Sequence, residues 1–403
     1  MSRNSLIFNY GMLLVILLGS CNKKSGNDTT LPTPSQETVD ANILAEFFGS
    51  NIDLKNLANY ANQTVPFYIT KRNGTVASNA KATLGRVLFY DKNLSSNNTV
   101  SCASCHQQSS AFGDPNLTST GVNGTTGRHS MRLINTAFSA ETRFFWDERA
   151  TSLENQTTKP IQDHKEMGYS GQDGDQNLND LLTKLKAISY YQVLFKSAYG
   201  DTDITEARLQ ESLASFIRSI QSFDSKYDAG RINAPNDGAP FANFTALENQ
   251  GKNLFLAPPQ LDANGMRIGG GAGCGGCHRA PEFDIIPNSG NNGVIGIIGG
   301  GTDYTVTRSP SIRDVVKVEG SSNGAFMHNG FTNQLLGVVN HYNQIPIASV
   351  TGNSNLDPKL RPQGNPQNLQ LTTTEKDALV AFMQTLSGTN VYTDKKWSNP
   401  FIK

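Results

Sequence analysis

Apolar positions fall into a few helical stripes set between long polar stretches. Leu178, Leu181, Leu182, Leu185 and Ile188 recur at three- and four-residue spacing and predict a helix. A second helix is predicted over about 204–223, with Leu209, Leu213, Phe216 and Ile220 as its buried stripe. Asp203 can cap it, with Glu206 three residues on. Thr245–Phe255 reads as a short helix through Leu247, Gly251, Leu254 and Phe255. A last helix, about 375–387, puts Leu379, Phe382, Met383 and Leu386 on one face. Residues 224–245 contain Gly, Asn and Pro and read as a linker, and 257–305 are Gly-rich loop expected to pack around a bound group. No segment alternates with period two for long, which argues against a large sheet. The expected fold class is all-α with long loops.

The N-terminus reads differently. Arg3 precedes the apolar run Leu13-Leu14-Val15-Ile16-Leu17-Leu18, then Gly19-Ser20-Cys21. The run is too short for a good membrane span and matches a lipoprotein signal peptide over 1–20. Diacylglycerol on Cys21 would anchor the exported chain to a bacterial envelope membrane, in the periplasm. The bland alternative is an ordinary secretory signal with an accidental Cys. Residues 21–38, rich in Thr, Pro, Asn and Ser, read as a flexible tether. Charge adds an exclusion: 34 Lys plus Arg balance 34 Asp plus Glu in 403 residues, with no basic block to hold nucleic acid.

Five Cys change the picture most. Besides Cys21 they form two pentapeptides, Cys102-Ala103-Ser104-Cys105-His106 and Cys274-Gly275-Gly276-Cys277-His278. Two thiols at this spacing can add across two haem vinyl groups while the adjacent imidazole reaches the iron. Zinc would need further ligands and gives no reason for the His. The expectation is two covalently bound haem c groups, with His106 and His278 as proximal ligands. The motifs lie 172 residues apart and suggest two similar cytochrome c-like haem domains, 39–223 and 224–403.

Around the motifs stand further short marks. They are Leu84-Gly85-Arg86-Val87-Leu88-Phe89-Tyr90-Asp91, Phe145-Trp146-Asp147-Glu148-Arg149-Ala150, Phe223-Asp224-Ser225-Lys226-Tyr227, Ser309-Pro310-Ser311-Ile312-Arg313-Asp314 and Met327-His328-Asn329-Gly330. In this order they resemble the bacterial di-haem cytochrome c peroxidases and their MauG-type relatives, over roughly residues 80–388. The resemblance implies a peroxidatic N-terminal haem and an electron-entry C-terminal haem. Glu166, twenty residues after Trp146, falls at the distal catalytic glutamate; Gln156 and Pro160 would line its pocket. Trp146 falls at the position between the haems. The distal His that many relatives carry sixteen residues after the proximal His is here Val122, so the first haem is expected to be open at rest. His129 or His164 swinging in is the alternative. On the second haem, Tyr342, fourteen residues after His328, is the expected distal metal ligand, with Met327, Met266 and His341 as alternatives. Arg313 is expected to pair with a haem propionate, as a planar guanidinium suits a carboxylate. An interdomain Ca2+ stays open, because His129 and Asn323-Gly324-Ala325 depart from its usual ligands.

The function so implied is reduction of hydrogen peroxide with electrons from a small cytochrome c or cupredoxin. A MauG-like, peroxide-dependent oxidation of a partner protein or organic substrate is the alternative. A pure electron-transfer cytochrome would need strong ligands on both irons and leaves Glu166 and Trp146 without a role. A homodimer stays open.

Overall fold

A computed structural model describes residues 35–70 and 73–402. The leader, Cys21 and most of the 21–38 tether lie outside the described residues. In chain order the helices are α1 Gln36–Phe48, α2 Asn79–Tyr90, α3 Cys102–Cys105, α4 Leu153–Thr157, α5 Leu178–Lys186, α6 Ser189–Tyr199, α7 Glu206–Ser219, α8 Lys226–Arg231, α9 Ala246–Leu256, α10 Leu335–Asn343, α11 Ile347–Val350 and α12 Thr373–Gln384. The sheet is small. Strands β1 Pro259–Leu261 and β2 Arg267–Gly270 pair antiparallel, as do β3 His278–Arg279 and β4 Asp284–Ile285. The protein is therefore helix-rich rather than strictly all-α, and both ribbons lie in the Gly-rich stretch read from sequence as loop.

Two apolar cores form around two helix pairs. In the first, α2 packs along α7; in the second, α9 packs along α12. Each crossing is closed by a glycine. A β-carbon on Gly85 would sit 1.9 Å from the Ser212 carbonyl oxygen, and one on Gly251 would sit 1.8 Å from that of Ala378. Both glycines start the pattern Gly-x-x-Leu-Phe, and Phe89 and Phe255 enter the two cores. Each half thus places one such helix ahead of one Cys-x-x-Cys-His motif.

Several boundaries differ from the sequence expectation. Helix α7 is capped by Thr205, which accepts from the Arg208 N–H, and not by Asp203, two residues earlier; Ile204 between them is buried. Ile188 is extended and is the N-cap of α6, so the stripe through Leu185 ends there. The 224–245 linker contains α8, started by a capping box of Ser225 and Asp228. Helices α9 and α12 begin at capping boxes, Thr245 with Glu248 and Thr372 with Glu375. The C-terminal tail leaves the second core altogether. Val391 and Trp397 are buried in the first core. Arg86 Nε donates to the Ser398 carbonyl at 2.7 Å, and Tyr90 Oη to that of Trp397 at 2.7 Å. Among the described residues no helix is long and apolar enough to cross a membrane.

Candidate active site

The first motif is a single helical turn, α3, whose N-terminal Ser101 N–H donates to Ser104 Oγ at 3.0 Å. His106 follows directly. Its Nδ1 lies 3.1 Å from the Phe112 carbonyl, which fixes Nδ1 as the protonated nitrogen and leaves the Nε2 lone pair for a metal. Burial holds the imidazole below its ordinary pKa, so it is neutral. Cys102 and Cys105 are free thiols, pushed up by burial to about 12 and about 11.

A cavity of about 720 Å³ opens beside His106, and Trp146, Gln156, Pro160 and Glu166 stand on its wall. A smaller pocket, lined by Cys102, Cys105 and His106, shares Gln156, Pro160 and Glu166. Glu166 is held from its backbone. Its N–H donates to Asp163 Oδ1 at 3.1 Å, and its carbonyl accepts from Val122 N at 3.0 Å. The loop carrying Val122 presses close: a β-carbon on Gly121 would lie 2.0 Å from the Lys165 carbonyl oxygen, so only glycine fits. Burial first, and the Asp163 charge second, push the Glu166 carboxyl up to about 7 against a smaller pull from Arg149. Such a group is ready both to take and to give a proton at neutral pH. Val122 packs on the first core and on Gly168, and is not on the wall of either pocket.

The second motif forms a 3₁₀ turn, Cys274–Gly276, leading into β3 with His278. A cavity of about 620 Å³ is lined by Cys274, Cys277, His278, Met327 and Tyr342. His278 Nδ1 is buried without a hydrogen-bond partner, and burial pushes the ring down to about 4. Burial also raises the Tyr342 phenol. Both donor sets fit haem c: paired un-ionised thiols, a neutral imidazole and a cavity within the roughly 300–1,000 Å³ of cofactor sites. Trp146 lines both large cavities, and its Nε1 donates to the His129 carbonyl at 2.8 Å.

Other expected site residues stand elsewhere. Arg313 reaches neither cavity. It is fully buried, with Nη1 and Nη2 on the two oxygens of Asp228 at 2.9 and 3.0 Å, and Nη2 on the Pro281 carbonyl at 2.8 Å. Its fork is filled by a protein carboxylate, which corrects the propionate expectation. His164 lies off the cavities, 3.0 Å from Asp175. His129 lines both cavities, with Nδ1 3.2 Å from the Leu117 carbonyl. His341 turns to the Asn292 carbonyl at 2.9 Å, and neither it nor Met266 lines the second cavity. At Asn323, where an interdomain Ca2+ stays open from sequence, the side-chain Nδ2 donates to the Asp314 carbonyl at 2.8 Å. Sequence reasoning missed Arg132 and Arg308, which line both large cavities. No local pattern marks them, since their place depends on the packing of the two halves.

Residues 79–233 match the family profile of di-haem cytochrome c peroxidase. Over 324 residues the chain is 28% identical to the methylamine utilization protein MauG of Methylophilus methylotrophus, covering 76% of this chain and 82% of that protein. It is 25% identical over 325 residues to the cytochrome c551 peroxidase of Nitrosomonas europaea, covering 76% of this chain and 80% of the relative. Among solved structures, a MauG-like protein associated with microbial copper homeostasis superposes with a TM-score of 0.63 at 26% identity, covering 84% of this chain and 99% of the other. The diheme peroxidase BthA from Burkholderia thailandensis shares the fold, with a TM-score of 0.51 at 20% identity over 84% of this chain and 90% of that one.

Proposed function

The chain belongs to the superfamily of di-haem cytochrome c peroxidases and MauG proteins, and on that premise we propose that it reduces hydrogen peroxide to two waters. Two protons and two electrons enter per peroxide, the electrons from a small cytochrome c or cupredoxin. The observation that carries the reading is the shared wall of one cavity: His106, Glu166, Gln156 and Pro160, with the Glu166 carboxyl lifted to about 7.

Haem c, attached through Cys102 and Cys105 with His106, and through Cys274 and Cys277 with His278, would supply the iron that binds peroxide and the store that accepts donor electrons. Glu166, as a carboxylate, takes the proton from one peroxide oxygen and returns it to the other as that oxygen leaves as water. Gln156 offers an amide to orient the substrate, and Pro160 provides an apolar wall. Trp146, on the walls of both cavities, offers an indole between the electron-entry site and the peroxidatic site. Tyr342 on the second wall would, if bound to the metal as a phenolate, favour its oxidised state. That observation supports the second reading, MauG-like oxidation of a partner protein or organic substrate. The leader and Cys21 support export to the periplasm with a lipid anchor.

Steady-state oxidation of reduced cytochrome c or cupredoxin by peroxide tests the reading. Turnover that falls about 10²–10⁴-fold in Glu166→Gln, with the resting absorption spectrum kept, is the expected result. No oxidation of any such donor, with peroxide-dependent oxidation of an organic substrate instead, would move the assignment to the second reading.

A further inference from the structure

Arg132 stands where the two large cavities meet and lines both. Its Nη2 donates to the Ser311 carbonyl at 3.2 Å, while its Nε is buried without a partner. Among the described residues no carboxylate lies within ion-pair distance of it. Asp314 and Tyr392 are the groups whose charges it feels. Asp314 is itself buried, accepts from Gly388 N at 2.9 Å and Tyr392 Oη at 3.3 Å, and is held up by burial to about 6. The other cationic side chains nearby are already committed. Arg313 is spent on Asp228, and Arg308 donates to Ser139 Oγ at 3.0 Å and pairs with Asp284 at 3.4 Å.

A guanidinium stays charged, and a desolvated charge without a counter-ion is costly. The position therefore calls for an anion that reaches the seam between the cavities. Haem brings its own: two propionate carboxylates, whose planar form suits the guanidinium fork. We propose that Arg132 is the counter-charge for haem propionate at the seam of the two cavities, a positioning residue that raises the reduction potential of the haem it holds. This rests on the haem reading of the two Cys-x-x-Cys-His motifs and is independent of peroxide turnover.

The test is spectroelectrochemical titration of both haems in the exported holoprotein, with haem content measured per chain. Arg132→Gln keeps a donor for the Ser311 carbonyl and drops the charge. It is expected to keep full haem content and to shift the reduction equilibrium of at least one haem about tenfold toward the ferric form, about 59 mV for one electron. Arg132→Lys keeps the charge and is expected to stay near the parent potentials. Unchanged potentials in Arg132→Gln overturn the proposal, and so does a downward shift of equal size in Arg132→Lys, which decides the matter alone if the Gln variant does not fold. A holoprotein that shows these shifts yet turns over no peroxide would leave this inference standing and remove the peroxidase reading instead.

Discussion

Replacing Arg313 by Leu separates a structural arginine from a cofactor-binding one. The side chain is 0% exposed, and its fork is closed on Asp228 at 2.9 and 3.0 Å. Asp228 also accepts from Tyr68 Oη at 2.8 Å and from Ser225 Oγ at 2.6 Å, so it ties α8 to the segment before α2 and to the 313 loop. The guanidinium further sits 5.2 Å from the Phe223 ring centroid and 5.4 Å from that of Tyr227. Arg313→Leu leaves a buried carboxylate without its cation, which costs about 3–5 kcal/mol. For a half of this size that is a fall in Tm of about 6–20 °C. Burial pushes the Asp228 carboxyl up, but Arg313 and the Ser225 and Tyr68 hydroxyls outweigh it and hold it below its ordinary value. Its stabilising contribution is therefore full above the ordinary carboxylate pKa and is lost as pH falls through the native one. In Arg313→Leu only the Ser225 and Tyr68 hydroxyls still oppose burial, so the gain in stability with rising pH should shrink or reverse. Calorimetry of the oxidised holoprotein between pH 4 and 8 reads both effects, and Arg313→Leu/Asp228→Asn should recover much of the loss. A variant that melts like the parent while a haem potential moves would refute the reasoning and restore Arg313 as the propionate partner.

Other outcomes follow from the same geometry. The Glu166 carboxyl, raised by burial to about 7, favours the folded state only while protonated. Its contribution is whole below about pH 4.5 and is lost as pH rises through about 7, so Glu166→Gln should match the parent in unfolding free energy at pH 5 and exceed it at pH 8, by on the order of 1–3 kcal/mol. Gly121→Ala puts a β-carbon 2.0 Å from the Lys165 carbonyl and must displace the Glu166 segment; peroxide turnover should fall at least about tenfold, with the second haem's spectrum unchanged. His164→Ala removes only a contact to Asp175 away from the cavities; the resting spectrum and turnover should not move, and a lost low-spin signal would instead identify His164 as an iron ligand.

What was legible from sequence was what is encoded locally. A Cys-x-x-Cys-His run carries its own ligand geometry, and Leu247, Gly251, Leu254 and Phe255 carry the spacing of their own helix. Glu166, Gln156, Pro160 and Trp146 were found through resemblance, and they meet on one wall only because the Gly121 loop and the α2–α7 core bring distant segments together. Part of what escaped depends on partners far along the chain. Asp203 looked like a cap because it precedes Glu206, but the burial of Ile204 moves the cap to Thr205. Helix α8 is too short for an apolar stripe and is recognisable only by its capping box. Trp397 lies at the far end of the chain yet is buried in the first core, which no boundary between halves drawn in sequence order could capture. Arg313 and Arg132 look alike as residues; the difference is Asp228, which closes on one and not on the other.

The central claim is that the metal held by His106 keeps an accessible position beside Glu166 while the one held by His278 is capped by protein. Low-temperature electron paramagnetic resonance of the resting, oxidised holoprotein reads this directly. The account predicts a high-spin ferric signal from the first site that changes on adding peroxide, beside a six-coordinate second site altered by Tyr342→Phe. Two low-spin signals, each from an iron with two strong side-chain ligands and neither changed by peroxide or by reduction, would contradict it.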